Sequence, residues 1–219
     1  MREGMRAAAP LALPTFALGV AFGVVAKPVM GPAAPIVMSV LVFSGAAQFA
    51  ALSVLAGGGG AAAAIAAGTL MNARWVAMGV AIAPSLRGNA LVRGLRAQAI
   101  VDASFAIGSR GDGSFDPDRI VGATIPQAGS WVLGTVAGVC WGSLLGDPAA
   151  LGLDAIFPAF YLALLAGETE RHRDMGRRWP APLAAAIGGA IALAAMPFAP
   201  PGIPVVAAAG AALIGLRER

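Results

Sequence analysis

The chain has 219 residues, of which 58% are hydrophobic and only 12% charged, with a mean hydropathy of +0.78. Soluble domains carry about 25% charged residues, so a water-soluble globule is excluded and an all-α polytopic membrane protein is expected, with residues 1–219 forming a single transmembrane helical domain. The net charge of +4 comes from Lys and Arg set in short loops between apolar runs, a membrane-topology pattern that excludes a nucleic-acid partner.

The N-terminus, MREGMRAAAPLALPTFALGV, has the basic start and apolar stretch of a signal peptide. Because more apolar runs follow, it reads as a retained first helix in a multi-pass protein of the cell membrane. Runs fall near 11–26, 35–56, 61–84, 120–146, 152–167, 181–197 and 203–216, separated by Gly and Pro punctuation such as GPAAP, GGGG, GDP and APPG. Segment 89–108 is mixed. On a helical wheel Arg93, Arg96 and Ser104 share one side and Gln98 and Asp102 the other, which suits an interfacial helix or a polar helix inside the bundle.

If 89–108 does not span, there are seven transmembrane helices with the N-terminus outside; if it spans, there are eight with both termini inside. Seven leave 12 of the 15 basic residues cytoplasmic, with Arg2 and Arg6 outside and Arg74 buried. Eight would also bury Arg93 and Arg96, so seven are expected.

Shifted by 115 residues, FALGVAFGVVAKPVMG (16–31) aligns with WVLGTVAGVCWGSLLG (131–146), matching Leu18, Gly19, Gly23, Val24 and Gly31 to Leu133, Gly134, Gly138, Val139 and Gly146. This predicts two repeated halves, about 11–108 and 120–216. With seven spans, equivalent helices are three apart and the halves are inverted, as in many secondary transporters.

Interrupted apolar segments at matching places in two halves point to a substrate site. Here these are FSGAAQFA (43–50) and IFPAFY (156–161), where Gly45 and Pro158 can free backbone groups. Ser44 and Gln48 form a polar strip one helical turn apart, and Phe43, Phe49 and Tyr161 are available for an apolar pocket. Gly134, Gly138, Gly142 and Gly146 form a GxxxG stripe expected to mediate close helix contact.

In GTLMNARWVAMG (68–79), Arg74 lies near the centre of a run otherwise free of charge. A central Arg costs about 2.5–3.5 kcal/mol and needs a partner. Asp102, on the less cationic side of its segment, is the expected one; Asp154 is the other available acid. Asn72 and Arg74 stand about 200° apart on a regular helix, so either the helix is broken there or the two serve different surfaces. Asn72 is the expected ligand-facing residue of the two.

His172 sits in the charged loop ETERHRDMGRR and reads as surface, while Cys140 lies in an apolar run with no second cysteine to pair with. No P-loop, paired-Cys metal site or HExxH motif occurs, so no cofactor, metal or ATP hydrolysis is expected. An embedded enzyme lacks a clustered nucleophile or acid–base pair. A scaffold subunit without its own transport is the remaining rival to a transporter.

Several motifs occur in family order: F-x-x-G-x-A-F-G (16–23), FSGAAQFA, T-x-x-N-A-R followed by M-G (69–79), D-x-x-F-A (102–106), W-x-x-G-T-x-x-G (131–138) and ALGLD…FPA (150–159). Together, over about residues 10–216, the chain resembles the AzlC-type branched-chain amino acid permeases. The resemblance implies the large subunit of an exporter for leucine, isoleucine, valine and related amino acids, working with a small AzlD-like membrane partner. Two positions depart from that pattern. Trp75 stands where the family usually has His, and Asp102-Ala103 where it often has Asp-Glu. Proton coupling or substrate can differ accordingly.

Overall fold

The computed structural model describes residues 1–144 and 181–198, together with 162, 166, 169, 170, 207 and 211. The described residues are helical apart from turns and one isolated bridge between Ser109 and Phe115. Helix α1 runs over Arg2–Met30, α2 over Ala33–Leu41, α3 over Gly45–Ala56 and α4 over Ala61–Asn72. Then come α5 (Arg74–Ile82), α6 (Ala90–Ala97), α7 (Asp102–Gly108), α8 (Pro117–Trp141) and α9 (Ala181–Ala195). By length and hydropathy α1 can cross a membrane alone, and α4 with α5 and the turn to Ser85 forms a second, bent candidate.

The frame is the α1–α8 pair, which touches through glycine. A Cβ on Gly19 would meet the Trp131 carbonyl, and one on Gly23 the Thr135 carbonyl. In return, a Cβ on Gly134 would meet the Phe16 carbonyl and one on Gly138 the Val20 carbonyl. Only hydrogen fits at these four positions, and backbone-to-backbone contact of this kind drives helix association where lipid offers no hydrophobic contrast. The partner for the glycine stripe of α8 is therefore α1.

These contacts also give direction. Gly4 packs on Arg119, Gly19 on Trp131, Gly23 on Thr135, and Val24 on Gly142. Residue numbers rise together in both helices, so α1 and α8 run parallel. If α1 and α8 are equivalent helices, inverted halves would make them antiparallel, so the parallel pair does not confirm the inverted arrangement inferred from hydropathy. The reason lies in α2 and α3. Read as one apolar run they make a full crossing, but the chain turns back between them.

Three observations define that turn. Gln48 reaches Ser39 at 3.0 Å, although nine helical residues would separate them by about 13.5 Å. Phe43 has φ 43°, in the left-handed region that a bulky residue rarely enters. Beyond the turn, Phe49 packs edge-on against Phe22, ring centroids 5.4 Å apart, and Leu52 joins the core cluster of Leu18, Phe22, Ala26 and Trp131. So α2 returns from the C-terminal end of α1 toward its middle, and α3 goes back out alongside α1.

Helix α4 then descends against α3, with Gly68 beside Ala47 and Asn72 bonded to Ser44. After a 41° bend α5 continues to the N-terminal end of α1. There Ile82, Ile100, Phe115 and Ile120 form a second core, and the Phe115 N–H donates to Ser85 Oγ at 3.2 Å. Segment 89–108, read above as one helix, is two short ones. Asn89 caps α6 through Val92 N–H, and α7 starts afresh at mid-depth and runs down again toward Asp116 and Ile120.

Asp116 caps α8, accepting from the N–H groups of Asp118 (3.0 Å) and Arg119 (3.1 Å). The Arg119 N–H, aided by the Arg110 guanidinium, holds its carboxyl below the ordinary carboxylate range against a smaller effect of burial. A depressed folded-state pKa stabilises above the unfolded value and fades as pH falls through the folded one. Asp116→Ala should therefore cost about 1 kcal/mol at neutral pH. In detergent melts the gap to the parent should narrow below pH about 4, and a gap unchanged at pH about 3 would show that the charge is not its source.

Candidate functional site

A cavity opens where the chain breaks its helices. Its walls are Thr15 and Leu18 of α1 and Gln127 and Trp131 of α8; facing them are Phe43 to Ala46, Arg74 and Trp75, and Val101 to Ala103. These last three stretches are the first residues of α3, α5 and α7. Three helix N-termini thus converge on one space, each bringing the positive end of a helix dipole with it.

At α3 the first backbone N–H groups are open. Ser44 occupies the capping position, but its hydroxyl donates to Asn72 Oδ1 at 2.6 Å and makes no cap bond. The first bond of the helix runs from Gln48 N–H to the Ser44 carbonyl, so the N–H groups of Gly45, Ala46 and Ala47 have no acceptor among the described residues. Such a helix start binds a carboxylate readily. The absence of Cβ at Gly45 leaves its amide approachable.

Arg74 opens α5 and lies opposite. Its Nε donates to Asp102 Oδ1 at 2.9 Å and its Nη2 to Oδ2 at 2.8 Å, a two-pronged ion pair with side chains 24% and 21% exposed. Nη1 also donates to the Met71 carbonyl, one of those left without a helical partner by the break after α4. A cation at a helix N-terminus opposes the dipole, whereas an anion at the start of α7 suits it. Asp102 therefore offsets the unfavourable position of Arg74 while stabilising its own helix. The break at Ala73 resolves the 200° separation: Asn72 and Arg74 stand on different helices and reach the same region.

Of the other residues expected at the site, Phe43, Ser44 and Gly45 line the cavity directly; Asn72, expected to face a ligand, does not line it and instead accepts from the Ser44 hydroxyl. Gln48 does not line it. It is fully buried, donating from Nε2 to Ser39 Oγ and accepting at Oε1 from Trp131 Nε1 at 3.1 Å. Ser39 in turn lies 2.8 Å from Thr135 Oγ1, which donates to the Trp131 carbonyl. The hydroxyl of Ser39 must therefore be the donor in that pair. This chain ties the α2–α3 turn to α8 and uses the amide of Gln48 at both ends. Asp154, Pro158 and Tyr161 lie outside the described residues.

Sequence reasoning missed Thr15, Gln127, Trp131 and Ser39. Gln127 and Trp131, one turn apart in an apolar run, were the available signal. Trp75 also lines the cavity, and its buried indole N–H has no hydrogen-bond partner among the described residues. Among the described residues, no group of three or more His, Cys, Asp or Glu could hold a metal ion.

A family model described as AzlC protein matches residues 10–145. The inner membrane protein YgaZ of Escherichia coli (strain K12) is 28% identical over 187 residues, covering 79% of this chain and 75% of that protein. No solved structure matches the chain.

Proposed function

The chain belongs to the AzlC family, integral membrane proteins of transporter type, and we propose that it exports branched-chain or similar small apolar amino acids across the cell membrane. The observation that carries this reading is the open N-terminus of α3 and the Arg74–Asp102 pair on one cavity, whose walls also include Leu18, Phe43 and Trp131. A zwitterion matches that arrangement. Its carboxylate accepts from the N–H groups of Gly45 and Ala46, its ammonium lies toward the Asp102 carboxylate, and its side chain rests against Leu18, Phe43 and Trp131.

Arg74 and Asp102 are also the groups that a bound zwitterion competes for, so loading the cavity loosens their pairing. That gives the cycle a two-state element at the binding site. Gln48 braces the α2–α3 turn in this scheme, and Asn72 orients Ser44 away from the α3 amides so that they stay free. A small AzlD-like membrane subunit is the proposed partner, and 11–108 and 120–216 the proposed repeated halves.

Counterflow in liposomes is the direct test. Vesicles containing the chain and its small partner, preloaded with leucine, should accumulate labelled leucine several-fold over empty vesicles, and unlabelled isoleucine or valine should compete. Absence of flux with the partner present would leave the scaffold reading in its place.

A further inference from the structure

The ends of the α1–α8 pair differ in charge. At the end where both helices begin lie Arg2 and Arg6, Arg87, Arg93 and Arg96 around α6, and Arg110 and Arg119 beside the α8 cap. Four acids share that end: Glu3, Asp112, Asp116 and Asp118. At the opposite end, the described parts of α1 to α4 and α8 carry Lys27 alone. Hydropathy had placed Arg2 and Arg6 on one side of the membrane and Arg87 to Arg119 on the other. Because α2–α3 turns back, a single crossing, α4–α5, separates α1 from α8, and all seven arginines come to one face.

Helix α6 lies at this same end and is amphipathic. Leu91 and Leu95, one turn apart, are 71% and 66% exposed, while Arg93 and Arg96 project from the opposite side. Arg96 reaches Asp118 at 3.7 Å, which holds α6 beside the start of α8. An exposed leucine face backed by arginines, in a helix too short to cross, is the pattern of a helix lying in the membrane plane.

We propose that the arginine-bearing end is the cytoplasmic face and that α6 is an in-plane anchor on the anionic phospholipid headgroups of that leaflet. Excess Lys and Arg in short loops selects the cytoplasmic side, and that leaflet's negative surface complements the net positive end. Leu91 and Leu95 enter the acyl boundary and Arg93 meets phosphate. The orientation does not depend on what the cavity carries.

Single cysteines in the full-length Cys140→Ala protein test it. A membrane-impermeant maleimide on intact cells should modify Gly60→Cys, and should modify Glu3→Cys and Asp112→Cys only after permeabilisation. Glu3→Cys and Asp112→Cys on opposite faces, or both outside, would overturn the orientation. For the anchor, bimane on Leu91→Cys in liposomes should be quenched at least about twofold more by brominated phosphatidylglycerol than by brominated phosphatidylcholine. Adding Arg93→Gln, which removes no ion pair seen in the structure, should bring that ratio toward one while the protein stays monodisperse. Equal quenching by both lipids in the parent, or none by either, refutes the anchor.

Discussion

Arg74→Ala is expected to reduce leucine counterflow to background and to cost about 3 kcal/mol of stability, because it leaves the Asp102 carboxylate without its cation inside the bundle. Asp102→Ala should be at least as damaging, since the guanidinium left behind sits at the positive end of α5. Reversing the charges, Arg74→Asp with Asp102→Arg, should recover part of the stability lost by either single change. Recovery is limited because aspartate at 74 cannot donate to the Met71 carbonyl, which Arg74 satisfies through Nη1. Arg74→Lys should retain the pair as a single contact and keep more stability than activity. Fluorescence-detected melting beside counterflow measures both. A double variant no better than the singles would mean that the contact with Asp102 does not supply the effect.

The second large effect is expected at Gly134. Its missing Cβ is what admits the Phe16 carbonyl, so Gly134→Leu must push α1 off α8 along their shared contact. Overpacking commonly costs about 1–3 kcal/mol, and here rigid backbone meets the new atoms, so the upper end or loss of the folded species is expected. Gly129, five residues earlier on the same helix, faces open space: a Cβ there would have no neighbour within 4 Å, so it supplies the control. Gly129→Ala should leave the melting temperature of the purified protein within about two degrees of the parent. If Gly134→Leu melts with the control, the close crossing does not hold the bundle together.

These residues also show how far the sequence could be read. The glycine spacing of α8 announced a close helix contact, and the lone charge of Arg74 announced a need for an acid, because both are local signals with few physical solutions. The interruption at Phe43 to Gly45 was visible for the same reason. Its sense was not. Two apolar limbs joined by three residues have the hydropathy of one straight span, and the reversal rests on a phenylalanine at φ 43°, a conformation that a glycine would normally advertise. Every orientation inferred downstream of that turn inherited the error. The sequestering of Gln48 was equally hidden, since its partner Trp131 is 83 positions away and no spacing rule links them.

The crossing of α1 and α8 has one more consequence. Gly19 meets Trp131 and Gly134 meets Phe16; Gly23 meets Thr135 and Gly138 meets Val20. Adding 115 to the α1 residue in each contact, and subtracting it from the α8 residue, returns the other contact of the pair. An interface that maps onto itself when its sides are exchanged is what two identical subunits form about a two-fold axis. At its centre this single chain has the geometry of a homodimer, so a fragment carrying α1 alone already holds a self-complementary surface.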